Sequence, residues 1–331
     1  MTMRFPVINR REALALGAGL GAMLGLGPVA ARAQSGYPSG PVRFVVPVSP
    51  GGSTDRLART VGESLGRSWG NAVIVENMTG AGGTIGANAI VTSKPDGQNL
   101  LLHSDAILLN TLLYSKPRYT MADLVPVVKI AANAQIIVVR PTLGISTLKE
   151  YLDLSKSSGG LSVALPTQGG IAHIAHEILV GRTGIPVNYI PYEGGAPAAT
   201  DVMGGHVDAT IITLAAVTDY IAAGQLVPIA VTTAERQGAL PNTPTIAESG
   251  VDGYEVESWQ GIFAPAGTSD EIVRKINTDV NAILDNPESR AQIEGVGFGI
   301  GGGSADTFAA ELVKSAEIYG KVIQDAGLVQ R

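Results

Sequence analysis

Short β-branched runs alternate along this chain with longer segments whose apolar residues recur every three or four positions. Strand-like runs at 43–48, 72–76 and 99–103 are separated by helix-like segments at 55–69 and 84–93. The alternation resumes with strands predicted at 135–140, 161–165, 187–191, 209–213 and 227–232, and helices at 148–155, 171–182 and 197–203. Such alternation predicts βαβ units and mainly parallel sheets flanked by helices. After the Pro265-Ala266-Gly267-Thr268 turn the spacing becomes that of amphipathic helices, over 270–284 and 305–326. The chain reads as two α/β lobes with a C-terminal helical segment that must pack on one of them.

Length agrees, since 331 residues at roughly 150 per domain suggest about two domains. Apolar residues make up 45% and aromatic ones only 5%, so the core must be built from Ala, Val, Ile and Leu, which suits helices packed on parallel strands. The 42 glycines and 19 prolines stay below the roughly 25–30% combined share at which disorder takes over. The glycine excess therefore belongs to a folded chain, and its meaning depends on position.

Charge excludes one class of partner. The formal charge is −6 and no basic stripe exists to neutralise phosphates, which argues against nucleic acid. Without cysteine there is no disulfide, thiolate nucleophile or sulfur-ligated metal. At the N-terminus, Arg10 and Arg11 precede a charge-free apolar run over 13–31, and Ala31-Arg32-Ala33 follows as an A-x-A cleavage pattern. Residues 1–33 read as a bacterial export signal, by the general secretory or the twin-arginine route. The alternative, a membrane anchor, is disfavoured by Gly17, Gly19, Gly21, Gly25, Gly27 and Pro28. Cleavage would leave 19 basic and 28 acidic residues in a soluble chain bound for the periplasm.

The remaining glycines gather where strands should hand over to helices: Gly51-Gly52, then Gly80, Gly82, Gly83 and Gly86, then Gly169-Gly170, then Gly194-Gly195. In open α/β sheets the carboxyl ends of strands are where ligands bind, and N–H groups at a helix start attract anions. Four such junctions could surround one small anion; taken singly, each could equally be a tight βα turn. Enzyme readings find less support. The Gly80–Gly86 stretch departs from G-x-G-x-x-G at Ile85, although Asp105 lies where a dinucleotide fingerprint would want its acid. No G-K-[ST] and no nucleophile elbow occurs. His173, His176 and Glu177 form H-x-x-H-E, in neither order that zinc proteases use, so no metal and no cofactor are expected. His173 is read as orienting the 168–171 loop or touching a ligand. Asp55 is read as bracing the first loop at a helix start.

Taken in order, "YPSGPVRFVVPVSPGGSTDRLAR", "VIVENMTGAGGTIGA", "PDGQNLLLHS", "IPYEGGAPAATDVMGGHVDA", "IAVTTAERQGALPNTPTIAESGVDGYE" and "SWQGIFAPAGT" resemble the substrate-binding proteins of tripartite tricarboxylate transporters, the Bug family of periplasmic receptors. The resemblance covers essentially the whole chain after residue 33. It implies a two-lobed periplasmic binding protein fold, type II-like, with lobe one at 34–139 plus 258–331 and lobe two at 140–257. It also implies a monomeric, non-enzymatic receptor that closes by hinge motion on a small organic acid and delivers it to membrane transporter subunits or a sensor. Carried onto this chain, the ligand-binding residues are Ser49, Gly51, Gly52, Ser53 and Asp55 in the first loop, and Ala81, Gly82, Gly83 and Thr84 in the second. Ser104 completes lobe one; Thr167, Gln168, Gly169, Gly170, His173 and Thr213 come from lobe two.

The chain departs from the family pattern at three places. Val48 and Ser49 replace an aromatic and a proline, Gly170-Ile171-Ala172 lack the usual hydroxyl before His173, and Glu193 stands where lysine is common. The ligand's distal end should therefore be less polar than the family norm. A receptor for a neutral amide or nicotinamide-like ligand, and an exported α/β enzyme, remain the alternatives.

Overall fold

The computed structural model describes residues 36–330, and the export signal expected at 1–33 lies outside them. Strand β1 (Val42–Val46) leads through α1 (Ser53–Trp69) to β2 (Val73–Asn77), and α2 (Thr84–Val91), β3 (Asn99–Ser104) and α3 (Ala106–Leu113) follow. The long β4 (Leu124–Val139) opens a second set: α4 (Leu148–Ser158), β5 (Leu161–Leu165), α5 (Ile171–Thr183), β6 (Val187–Pro191), α6 (Gly195–Met203), β7 (Ala209–Thr213), α7 (Thr218–Ala222) and β8 (Val227–Val231). The chain closes with β9 (Glu257–Pro265), α8 (Asp270–Asp285), α9 (Pro287–Gly295), β10 (Gly299–Ile300) and α10 (Ala305–Asp325).

The strands form one ten-stranded sheet in the order β2-β1-β3-β9-β4-β7-β5-β6, with β8 and β10 also paired to β4. Its wings are parallel, as the alternation predicts: β2-β1-β3 on one side and β7-β5-β6 on the other. Its centre is antiparallel, because β9 runs against β3 and β4, and β4 runs against β7, β8 and β10. The sheet is therefore mixed. Strand β4 joins its halves by changing partner. Residues 124–134 of β4 pair with β9, whereas 135–139 pair with β7 and β8. Pro126, which has no N–H to give a ladder, sits where the β4–β9 register shifts, the place a strand tolerates proline.

One hydrophobic core runs under both halves, from Val45, Leu101, Phe263 and Phe308 to Tyr151, Val163, Leu179 and Ile211. Helix α8 packs on α1 and β4, so it settles on the first half, whereas α10 packs on α3 and β4 and also reaches α5 of the second set. From Gly40 onward the described residues make one compact unit, and none of their helices is long and apolar enough to cross a membrane.

Candidate functional site

A cleft of about 550 Å³ opens between the two halves of the sheet. Asn133 and Gln135 of β4 and Thr213 at the end of β7 contribute to its lining; Gln135 Nε2 donates to Thr213 Oγ1 at 3.3 Å. Besides α3, which begins there at Ala106 behind Asp105, three helices begin at this cleft: α1 at Ser53, α5 after Gly170 and α6 at Gly195. Each is preceded by a glycine, namely Gly52, Gly170 and Gly194, and none has a side chain capping its first turn. A helix start carries N–H groups without intrahelical partners and about half a positive charge. Three of them aimed into one space make a site for negative charge without a cationic side chain.

The first loop is held from below. Gly51, at φ +85°, donates its N–H to Asp55 Oδ2 at 2.9 Å. Arg59 binds both oxygens of Asp55, at 3.0 and 2.9 Å, and Asn77 Nδ2 bridges Asp55 Oδ1 to the Val48 carbonyl. Burial opposes ionisation of Asp55, but the hydrogen bonds from Arg59, Gly51 and Asn77 outweigh it and hold the carboxyl down at about 2. Asp55 is thus a buried brace that does not line the cleft. Ser53 does line it, while Ser49, Gly51 and Gly52 are exposed beside it.

The second loop lies elsewhere. Ala81 and Thr84 line a separate depression of about 190 Å³ beside Lys116 and Arg118, and Asn110 of α3 fixes the loop by donating to the Gly82 carbonyl at 2.8 Å. Gly83, at φ +93°, lies over His103: a Cβ there would stand 2.4 Å from His103 Nε2, so only glycine fits. His103 accepts the Ser104 N–H on Nδ1 at 2.8 Å, and burial lowers it to about 3, leaving a neutral ring. Ser104 in turn accepts the Ala106 N–H at 3.3 Å, which uses its hydroxyl at the start of α3.

In the second half, Thr167, Gly170 and Thr213 line the cleft. Gln168 and Gly169 belong to the same loop, and His173, 2% exposed, accepts the Gly169 N–H on Nδ1 at 3.0 Å. Its ring meets Tyr189 edge-on at 4.8 Å. His173 therefore acts as the loop's internal support rather than as a cleft group. His176 is also spoken for, lying 2.9 Å from both the Tyr151 and Tyr189 hydroxyls, with burial lowering it to about 4. Among the described residues no group of three or more His, Asp or Glu side chains is placed to hold a metal.

Part of the lining has no signature in the sequence. Gln135, Gly297 and Phe298 carry no motif, and Asp105 stands in the sequence as a single acid whose one local pattern is the spacing of a dinucleotide fingerprint. Asp105 stands between β3 and α3, 5% exposed, with its N–H on the Trp259 carbonyl at 3.2 Å and its Oδ2 accepting from the Ser258 hydroxyl. Burial pushes its carboxyl up to about 6, against the pull of the hydrogen bonds from Ser258 and neighbouring backbone. The signal that could have found it is its place at a strand end beside a cleft.

A helix-flanked sheet in two halves with an anion-suited cleft between them defines a solute-binding receptor of the periplasmic binding type. Residues 57–328 match the model of the tripartite tricarboxylate transporter family receptor, and the chain belongs to that family. It is 36% identical to Protein BugT of Bordetella pertussis over 262 residues, 78% of this chain and 79% of that protein. Rpa4515 of R. palustris, solved with adipate, superposes with a TM-score of 0.75 at 32% identity, covering 88% of this chain and 98% of that one. MatC of Rhodopseudomonas palustris, solved with malate, gives 0.71 at 25% identity over 87% of this chain and all of its own.

Proposed function

We propose that this protein is an exported receptor that closes around a small organic carboxylate and hands it to membrane transporter subunits. The observation that carries the reading is the convergence of three glycine-started, uncapped helix N-termini on one cleft between the sheet halves. A carboxylate seated there would take hydrogen bonds from backbone N–H groups and the favourable end of three helix dipoles, each contributing about 0.3–1 kcal/mol when exposed and up to about 2 when partly buried. The adipate in Rpa4515 and the malate in MatC support the same ligand class. Export through the N-terminal segment would put the receptor in the periplasm.

In this proposal the hinge falls where β4 changes partner between Ala134 and Gln135, five residues before the 139/140 boundary expected from the resemblance, and where the returning chain enters β9 at Glu257, beside the expected 257/258 boundary. On this reading the first and last parts of the chain form lobe one and the middle part lobe two. The test is a thermal-shift and calorimetric panel of small carboxylates and their matching amides. A true ligand at a hundredfold excess over Kd stabilises the fold by about 2.7 kcal/mol. Stabilisation by amides but by no carboxylate would sink the anion reading, and turnover of a bound compound would favour the exported enzyme instead.

A further inference from the structure

A site built from helix N-termini needs no acid, yet this cleft has one. Among the described residues that line it, Asp105 is the only one with an ionisable side chain. Its carboxyl is held by the Ser258 hydroxyl and nearby backbone, and no described cation pairs with it, in contrast to Asp55, which is matched by Arg59. Its neighbours in the lining, Asn133, Gln135, Thr213 and Ala106, add no charge. A ligand that fills the cleft thus meets helix starts on its walls and a buried acid at the junction of β3 and α3.

We infer that Asp105 is the specificity-determining residue of this cleft, selecting small carboxylates that carry a hydrogen-bond donor, an ammonium or a hydroxyl, at the end remote from the bound carboxylate. The inference rests on the carboxylate-receptor reading and refines it, and it replaces the less polar distal end expected from the loop residues, because Asp105 supplies an acceptor that those loops lack. A second carboxylate brought to Asp105 would meet like charge in a site shielded from water, and a methyl end would leave the acid without a partner. An ammonium or hydroxyl end gives it a charge-assisted hydrogen bond. The titratable group facing Asp105 from a packed helix is Tyr319 of α10, whose phenol burial keeps neutral; β9 offers Ser258, and α3 bears nothing ionisable. Because burial raises Asp105 to about 6, it is ionised above that pH and neutral below it. Discrimination in favour of an ammonium end therefore weakens as the solution is made acidic.

The experiment is calorimetry of the purified protein with straight-chain carboxylic acids of four to six carbons, ending in methyl, hydroxyl, ammonium or a second carboxylate. At pH 7.5 the ammonium or hydroxyl acid should bind about tenfold or more tighter than the methyl and dicarboxylate partners of equal length. Asp105→Asn, close in shape and still able to accept from Ser258, should bring these ratios to within about threefold. For the unaltered protein the ammonium-to-methyl ratio should fall about threefold or more between pH 7.5 and 5.5, where neither ligand titrates. Equal affinities across the ends, a ratio indifferent to Asp105→Asn, or a ratio flat with pH would each overturn the assignment. Failure of every acid to bind would overturn the receptor reading itself, and this inference with it.

Discussion

Seven of the ten helices among the described residues start in one of two ways, while α2, α3 and α7 begin at Gly83, Asp105 and Val217 with no side-chain cap. Three of those that open onto the cleft, α1, α5 and α6, begin at glycine and leave their first-turn N–H groups without a side-chain partner. Four that lie away from it, α4, α8, α9 and α10, are capped by Thr147, Ser269, Asn286 and Ser304, each accepting from the helix backbone. A cap contributes about 1 kcal/mol to stability, and the cleft helices forgo it. On the proposed function the unfilled N-termini are a reserved valence: what a serine does for the outer helices, a bound carboxylate would do for the inner ones.

The sharpest way to break this comparison is to fill one of the reserved positions. Gly52 has φ −70° and room for a Cβ, whose nearest neighbour would be the Ser49 carbonyl at 3.6 Å. Gly52→Asp should cap α1 and raise the unfolding free energy by about 0.5–1 kcal/mol, while weakening carboxylate binding about a hundredfold, roughly 3 kcal/mol, by occupying the N-terminus with its own anion. Calorimetry and urea unfolding read the two effects separately. Unchanged affinity would show that α1 does not receive the ligand.

Two aspartates near helix starts provide the next test. Asp105, raised to about 6 in the fold against 3.8 as its ordinary value, favours the folded state when protonated. Its contribution is fully present below about pH 4 and is lost as the pH rises through 6, amounting to at most about 3 kcal/mol. The stability of the unaltered protein relative to Asp105→Asn, measured by urea unfolding from pH 4 to 7, should fall along that window. Asp55 behaves in the opposite sense. Held at about 2, its contribution stands above pH 4 and disappears as the pH falls toward 2. Asp55→Ala leaves the Gly51 N–H and Arg59 without their partner and should cost about 2 kcal/mol at pH 7, with looser ligand binding as the loop gives way. The smallest effect belongs to the outer class: Ser304→Ala should cost about 1 kcal/mol in unfolding and leave ligand affinity untouched.

Much of this architecture is written in local pattern. The strands at Leu161–Leu165, Val187–Pro191 and Ala209–Thr213 fall where the apolar runs predict, because each is a short β-branched stretch between turn residues. The central strands were harder to see. In β4 the run is interrupted by Pro126, Lys129 and Asn133, and β9 carries Gln260 and Gly261, so neither shows clean periodicity although both are largely buried. Helix α3, "AILLNTLL", is apolar on all sides and offers no amphipathic signal. The site divides in the same way. Ser53, Thr167, Gly170 and Thr213 were legible because loops after strands announce themselves through glycine and hydroxyl residues. Asp105 and Gln135 were not, because what makes them cleft residues is the meeting of β3, β4 and β9, which no local stretch encodes. Gly83 was legible as a loop glycine, but its reason, contact with a histidine 20 residues on, was not.

Strand β4 has a bearing on how the molecule comes apart. It is hydrogen-bonded to β7, β8, β9 and β10, which come from widely separated stretches of the chain. Because one uninterrupted strand supplies its 124–134 segment to one half and its 135–139 segment to the other, the two halves share a backbone that each needs extended. Two α/β sets that would otherwise melt in separate steps are thereby bound into one cooperative unit. In native-state hydrogen exchange the paired amides of residues 124–139 should be the last to trade their protons, opening only when the whole chain unfolds.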